Sequence, residues 1–406
     1  MAKSKRIAGI DIGTTKIACI IAETTDNVKL SLLGLGTAPP QGFSQGVVNN
    51  LDKAVESVAT AVEEAEKSSG TKLSQAAIYV GITGEHIKHL QGIGAIPVRK
   101  PAKGITDHDL DKVIEQAQAL RLPNDEQILH VIPTQFIVDG QKGVRNPLGL
   151  YGVRLEVEVL IVIGAVTAIE NIYRMLERLG IKTKGLVLQS LAASYSVTEP
   201  MDRDLGVAVV DIGGVTDISV FKDGELRFSK VLGLGGGHIT QDIAIGLRTP
   251  FNKAEELKRN HGAALVNAVT EDEPIPLGDN SGGNGKHVSK RLLASIIEPR
   301  VEEILIHAEA ELRKTGFADA LSAGVVLTGG TAQFLGIASL AEQIFGLPIK
   351  IGYPEGLNGN SDSVRNPSYA TAVGLVRYGL EGKYLHSRVT PSVATTVIGE
   401  FKKWFT

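Results

Sequence analysis

The sequence predicts an α/β protein built from two similar halves that face each other across a cleft. Three observations predict it. Asp11-Ile-Gly-Thr-Thr recurs as Asp211-Ile-Gly-Gly-Val-Thr-Asp. Each copy follows an apolar run and precedes another, as a turn between two strands does. The chain has 406 residues, more than one ordinary core holds.

The elements follow in order from punctuation and periodicity. Residues 6–23 read strand, turn, strand, with DIGTT as the turn. Residues 52–67 carry helical spacing of apolar positions, started by Asp52 and closed near Gly70. From residue 84 to 165 the texture changes: a polar helix is expected over 106–120, then strands over 128–140 and 153–164. A helix over 168–180, a short buried strand over 186–188 and a helix starting in 190–197 come next. A second strand series opens at Val207, helices are expected over 253–268 and 289–315, and the stretch between these two is a loop by composition. Residues 324–330 are a strand running into a glycine turn, and 383–392 a linker.

Composition narrows the function classes. With 43% hydrophobic and 21% charged residues the chain is globular, neither disordered nor fibrous. A net charge of −3 gives no global attraction to nucleic acid, which is not expected as a partner. The single cysteine, Cys19, excludes an intrachain disulfide and fits a reducing compartment; it lies on an apolar strand and reads as core. The basic start breaks at Asp11 after few apolar residues, unlike a signal peptide, and the longest apolar stretch, 159–169, is too short to span a bilayer. A cytosolic chain is expected.

Glycine turns carry the chemistry. In a strand–Asp–x–Gly–x–Thr–strand turn, Gly13, Gly213 and Gly214 let the backbone approach a phosphate with its N–H groups. Thr14, Thr15 and Thr216 would add hydroxyl donors and Lys16 a positive charge. Asp11 and Asp211 repel phosphate and suit the waters of a Mg²⁺, which keeps much of its hydration shell. One such turn is an ordinary hairpin; two in corresponding places point to a shared anionic ligand. A third turn, Gly329-Gly330, could line a nucleotide near its base or α-phosphate, and Gly236-Gly237 precede a helix whose N-terminus favours anions. Glu255 and Lys258 lie one helical turn apart. Alone they are a surface ion pair of little value; beside four glycine turns they are expected to contact ribose and base. His130 and His238 belong to no set with metal-ligand spacing and read as structural.

The tail, residues 393–406, places Val397, Ile398, Phe401, Trp404 and Phe405 within an arc of roughly 120° on a helical wheel, with Lys402 and Lys403 opposite. That is the pattern of a helix lying in a membrane interface, with lysines for anionic lipid. A terminal helix packed on its own domain has the same periodicity. Alone, so short a helix is marginal in water.

GIDIGTTK, VVDIGGVTDISV and VVLTGGTAQFLG resemble the phosphate-1, phosphate-2 and adenosine motifs of the actin/Hsp70/hexokinase superfamily, and VLQSLAASYSV and NPSYATAVGLVRYG its two connecting motifs. Within it, ILHVIPTQFIVDG, VRNPLGLYGVRLEVEV, residues 235–262, IIEPRVEEIL and the tail are similar to the FtsA family of bacterial cell-division proteins. The resemblance implies an actin-like (ribonuclease H-like) duplicated fold around a nucleotide cleft, with an FtsA-type 1C subdomain. It divides the chain into subdomain 1A at 1–83 and 166–204, 1C at 84–165, 2A at 205–250 and 316–365, 2B at 251–315, a 1A return helix at 366–382, the linker, and a membrane-targeting helix at 393–406.

It further implies ATP and Mg²⁺ as cofactors and, as partners, the FtsZ C-terminal peptide on 2B, further copies of the chain in an actin-like filament, an anionic membrane surface and later cell-division proteins. The place implied is the cytoplasmic face of the cell membrane, peripherally, at the division site. Lys290, Arg291 and Arg300 are the candidates for the peptide's acidic groups; the plain alternative is a solvated basic helix face. Gln189 stands where relatives carry the acid or amide that orients the attacking water, and Gln189-Ser190 departs from the acid–proline many of them have. A neutral amide cannot accept a proton, so at most slow hydrolysis is expected. A related alternative is a PilM-like type IV pilus assembly protein that also binds ATP. A sugar or acid kinase would need a substrate-side carboxylate base that the sequence does not locate, and a chaperone would need a peptide domain after residue 382.

Overall fold

In the computed structural model, which describes residues 4–25, 29–277, 287–359 and 361–381, the repeated motif opens each of two sheets. Strands Lys5–Ile12 and Ile17–Thr24 pair antiparallel, with Asp11 opposite Ala18, and Leu30–Ala38 extends the meander. On the other side of Lys5–Ile12, strands Ala77–Ile82 and Thr183–Leu188 add in parallel. The second sheet repeats this plan. Val207–Ile212, Thr216–Lys222 and Glu225–Leu232 form the antiparallel meander, and Val325–Thr328 and Ile349–Ile351 add in parallel. One strand order used twice is the duplication expected from the repeat. Leu357–Gly359 pairs with Leu30–Ala38 as a further strand of the first sheet.

Near-continuous apolar strands need cover on both faces. Helix Leu51–Ser69 covers the first sheet, capped by the Asn50 side chain and closed by Gly70 at φ 63°. Asn50, not Asp52, is the cap; Asp52 sits in the first turn, where its charge suits the helix dipole. Helices Gln189–Val197 and Ala370–Glu381 cross tightly below the cleft, and the former also packs on strands Val207–Ile212 and Thr216–Lys222 of the second sheet. Gly374 permits the crossing, because a Cβ there would collide with the Ala192 carbonyl.

Residues 84–165 build a separate sheet, ordered Lys88–Pro97, Arg154–Ala165, Glu126–Val138, Gln141–Val144, with its own core under helix Asp107–Ala117. That helix is shorter than 106–120 because Thr106 and Asp109 cap its start and the helix closes at Gln118. The inserted sheet also packs on strand Glu225–Leu232 of the second half, with His89 edge-on to Phe228 at 4.9 Å.

The second half carries helices Gly236–Leu247, Phe251–His261 and Lys290–Lys314 around a second core. The helix expected over 253–268 stops at His261; a Cβ at Gly262 would crowd the Phe334 ring, and Val266–Ala268 forms a separate 3-10 turn. The expected loop before residue 289 contains a short ladder, Pro274–Pro276 with His287–Ser289. Among the described residues no helix is long and apolar enough to cross a membrane. The linker and tail, with Val397, Ile398, Phe401, Lys402, Lys403, Trp404 and Phe405, lie outside the described residues.

Candidate functional site

The two repeated turns meet. Ile12 pairs with Ile17, which makes the first a loop of Gly13 to Lys16, closed by Gly13 N–H to the Lys16 carbonyl at 3.1 Å. Ile212 pairs with Thr216, and Gly213 N–H donates to the Val215 carbonyl at 3.0 Å. The turns approach so closely that a Cβ at Gly214 would collide with the Thr14 hydroxyl. Gly236 is tied to the second turn, its N–H donating to the Gly213 carbonyl at 2.7 Å. Gly329, at φ 84°, and Gly330 close the far wall. Together these turns line a cavity of about 1440 Å³, shared with Thr15, Asp11, Gln189, Asp211, Glu255 and Lys258.

At its floor three carboxylates face one another. Asp11 comes from the first half; Asp211 and Asp217 lie directly opposite on paired strands of the second. Side chains directly opposite share a face of the sheet, so two carboxylates there repel. Threonines of the first half answer them: Thr83 donates to Asp217 at 2.7 Å and Thr371 to Asp211 at 3.2 Å. Burial pushes Asp11 up to about 7, with Lys16 opposing and Asp211 adding. Burial likewise lifts Asp211 to about 6 against the Thr371 hydrogen bond. Asp217 is pushed up to about 8 by burial first and then by Asp211 and Asp11. Such a cluster suits a divalent cation, whose charge would relieve both burial and repulsion. Among the described residues, no group of three His, Cys, Asp or Glu side chains is placed to hold a metal directly; Mg²⁺ commonly keeps several waters and meets carboxylates through them.

Lys16 lies over the Tyr369 ring at 3.1 Å and donates to the Ser368 hydroxyl at 3.2 Å; burial lowers it to about 8. Gln189 is 7% exposed, and its amide NH₂ donates to the Ile12 carbonyl at 3.1 Å. Its Oε1, like any amide oxygen, is an acceptor only.

The structure bears on three of these readings. Thr216 is fully buried and its hydroxyl donates to the Leu234 carbonyl at 2.8 Å, so strand pairing takes it out of the cleft. The Glu255–Lys258 pair is not the surface ion pair of the plain alternative: Lys258 is 5% exposed and sits 2.6 Å from Glu255. Lys290, Arg291 and Arg300 do not form one basic face. Arg291 and Arg300 are about 180° apart around their helix. Arg300 is held by both Asp242 oxygens at 2.6 and 3.2 Å, Arg291 donates to the Val269 carbonyl at 3.2 Å, and Lys290 lines the cleft.

His130 and His238 serve structure. His130 Nε2 accepts from Leu188 N–H at 3.0 Å, and His238 Nδ1 from Gly235 N–H at 3.3 Å. The Cys19 thiol is buried and pushed up to about 12. Sequence reasoning missed Asp217, Thr83, Thr371 and Tyr369. Asp217 had a signal: a three-residue turn puts it opposite Asp211. Tyr369 and Thr371 lie in the second connecting motif already singled out, and Thr83 comes from a distant segment with no signal.

Comparison with known proteins gives the setting. Residues 208–374 match the family described as "Cell division protein FtsA", and residues 84–163 the "SHS2 domain inserted in FTSA". The chain is 39% identical to the cell division protein FtsA of Pseudomonas aeruginosa, over 93% of this chain and 90% of that protein. It is 36% identical to that of Escherichia coli strain K12, over 97% and 96%. Among solved structures it is similar in fold to the PilM-PilN type IV pilus biogenesis complex, with a TM-score of 0.63 and 17% identity over 92% of this chain and 98% of that one. MreB5 of Spiroplasma citri bound to ADP gives a TM-score of 0.55 at 12% identity, over 93% and 98%. At these identities the structural matches speak for the actin-like fold alone.

Proposed function

Because the chain belongs to the FtsA family of cell-division proteins, we propose that it binds Mg-ATP in the cleft between its actin-like halves and uses it as a clamp between them. The observation that carries this reading is the meeting of both glycine turns above the buried carboxylates. Backbone N–H groups of Thr14, Thr15 and Gly214 would donate to phosphate oxygens, while those of Gly13 and Gly213 close their own turns. Asp11 and Asp211, with Asp217 beside them, would hold the waters of the Mg²⁺. Bound there, the ion would neutralise phosphate charge and the carboxylates together.

Lys16 would exchange Tyr369 and Ser368 for phosphate. Gln189 would accept a hydrogen bond from a water but take no proton from it, so hydrolysis is slow and nucleotide acts mainly through the conformation it holds. On the same reading the body assembles into filaments and binds the FtsZ C-terminal peptide through the subdomain bearing Lys290–Lys314. It holds the division ring at the inner membrane face through the tail and recruits later division proteins. Lys290, Arg291 and Arg300 point in different directions and do not meet that peptide as one face, and Arg300 is already paired with Asp242. One tail helix binds membrane weakly, and several carried by one filament bind firmly.

The test is equilibrium binding of ATP with and without Mg²⁺, for the parent and for Gly214→Val, which would push the turns apart. Tight Mg²⁺-dependent binding that the variant loses supports the reading; equal binding by both removes it.

A further inference from the structure

Lys258 looks like a nucleotide contact, because it lines the cleft and carries a charge. Its hydrogen bonds give another answer. An ammonium has three N–H donors. Those of Lys258 reach the Gly236 carbonyl at 3.0 Å, the Thr240 hydroxyl at 2.9 Å and Glu255 Oε2 at 2.6 Å. All three are engaged inside the protein. Thr240 is fully buried and lies outside the cleft lining; its hydroxyl has the Gly236 carbonyl at 3.0 Å and the same Glu255 oxygen at 2.5 Å as acceptors, and the shorter, charged one takes the proton. Both neighbours hold Oε2, so Oε1 is the oxygen left for a ligand in the cleft. Gly236, the third acceptor, is the residue whose N–H holds the Gly213 carbonyl of the second turn.

We infer that Lys258 and Thr240 are positioning residues: they aim the Glu255 carboxylate at a ribose hydroxyl and lock it to the second phosphate turn, and neither touches the nucleotide. The inference rests on the nucleotide reading of the cleft and assigns the two residues a role in sugar selectivity. A carboxylate held by two buried donors does not swing, so it accepts from a sugar hydroxyl at fixed geometry. Loss of either donor frees it.

The experiment compares ATP with 2′-deoxy-ATP and 3′-deoxy-ATP by equilibrium binding to the full chain, for the parent, Thr240→Val, Lys258→Met and the double variant that combines them. The expected parent preference for ATP over at least one analogue is roughly tenfold or more, the range of a hydrogen bond to a charged group. Thr240→Val should lose most of that preference, although residue 240 cannot reach a ligand, and the double variant should lose no more than Lys258→Met. Thr240→Val keeps the side-chain shape and buries no unpaired charge, so it decides the matter even where Lys258→Met fails to fold. A Thr240→Val protein that keeps the full preference overturns the inference, and so does a parent that binds ATP and both analogues equally. A parent that binds no ATP overturns the nucleotide reading itself, and the two failures are thereby distinct.

Discussion

Replacing Asp217 by asparagine should stabilise the nucleotide-free, metal-free protein, and the gain should grow with pH. Asp217 is 5% exposed, and its carboxyl is pushed from 3.8 up to about 8 by burial and by the neighbouring aspartates. A carboxyl whose folded pKa lies above its unfolded value binds more protons when folded. Stability therefore falls as pH rises between the two values, by up to about 1.4 kcal/mol per pH unit for one proton. From pH 5.5 to pH 8 the parent should lose about 3 kcal/mol that the asparagine variant keeps. Asparagine retains an oxygen for the Thr83 hydroxyl, so that bond survives. Thermal or urea unfolding of both proteins across that range measures the difference. A stability gap that does not widen with pH, or a variant less stable at pH 8, would refute the reasoning. Saturating Mg-ATP should reverse the order, because a ligand stabilises in proportion to its affinity for the folded state. Equal stabilisation of both proteins would remove Asp217 from the proposed cation site.

Gly374→Leu should force apart the helices that cross below the cleft, at a cost of several kcal/mol; a drop in melting temperature of several degrees checks it, and an unchanged melt counts against the packing. Gln189→Glu supplies the proton acceptor that the amide lacks, so its single-turnover hydrolysis should exceed the parent's by tenfold or more, with the parent's chemical step below roughly 1 s⁻¹. Charged replacements of Trp404 and Phe405 should abolish co-sedimentation with anionic liposomes while leaving ATP binding intact; unchanged sedimentation would defeat the proposed anchor.

Much of this was legible in the sequence because it is local. The hairpins around Asp11 and Asp211 follow from apolar alternation broken by glycine, and the duplication follows from their recurrence. Ends of helices were legible only where caps were strong, as at Thr106 and Gly70. Side-chain commitments were not legible, because they depend on distant partners. Thr216 reads as a phosphate donor until Leu234 arrives from the loop after the next strand. Arg300 reads as a free cation until helix Gly236–Leu247 brings Asp242 beside it.

The duplication is also unequal where it matters. Asp211 faces Asp217 across its hairpin, while Asp11 faces Ala18. The second half alone holds two opposed carboxylates, and the first half supplies Lys16, Thr83 and Thr371 around them. The hydrogen bonds of Thr83 and Thr371 join the halves across the cleft floor, so they pull the halves together while the repulsion of Asp11 by Asp211 and Asp217 pushes them apart. Protons can relieve that repulsion, but at neutral pH only in part. If Mg-ATP binds as proposed, its cation removes the repulsion without breaking either threonine bond, since each threonine needs only one carboxylate oxygen. The closed arrangement then gains on both counts. A clamp of this kind needs ligand binding and not turnover, which is what a cleft with Gln189 in place of a carboxylate is equipped to provide.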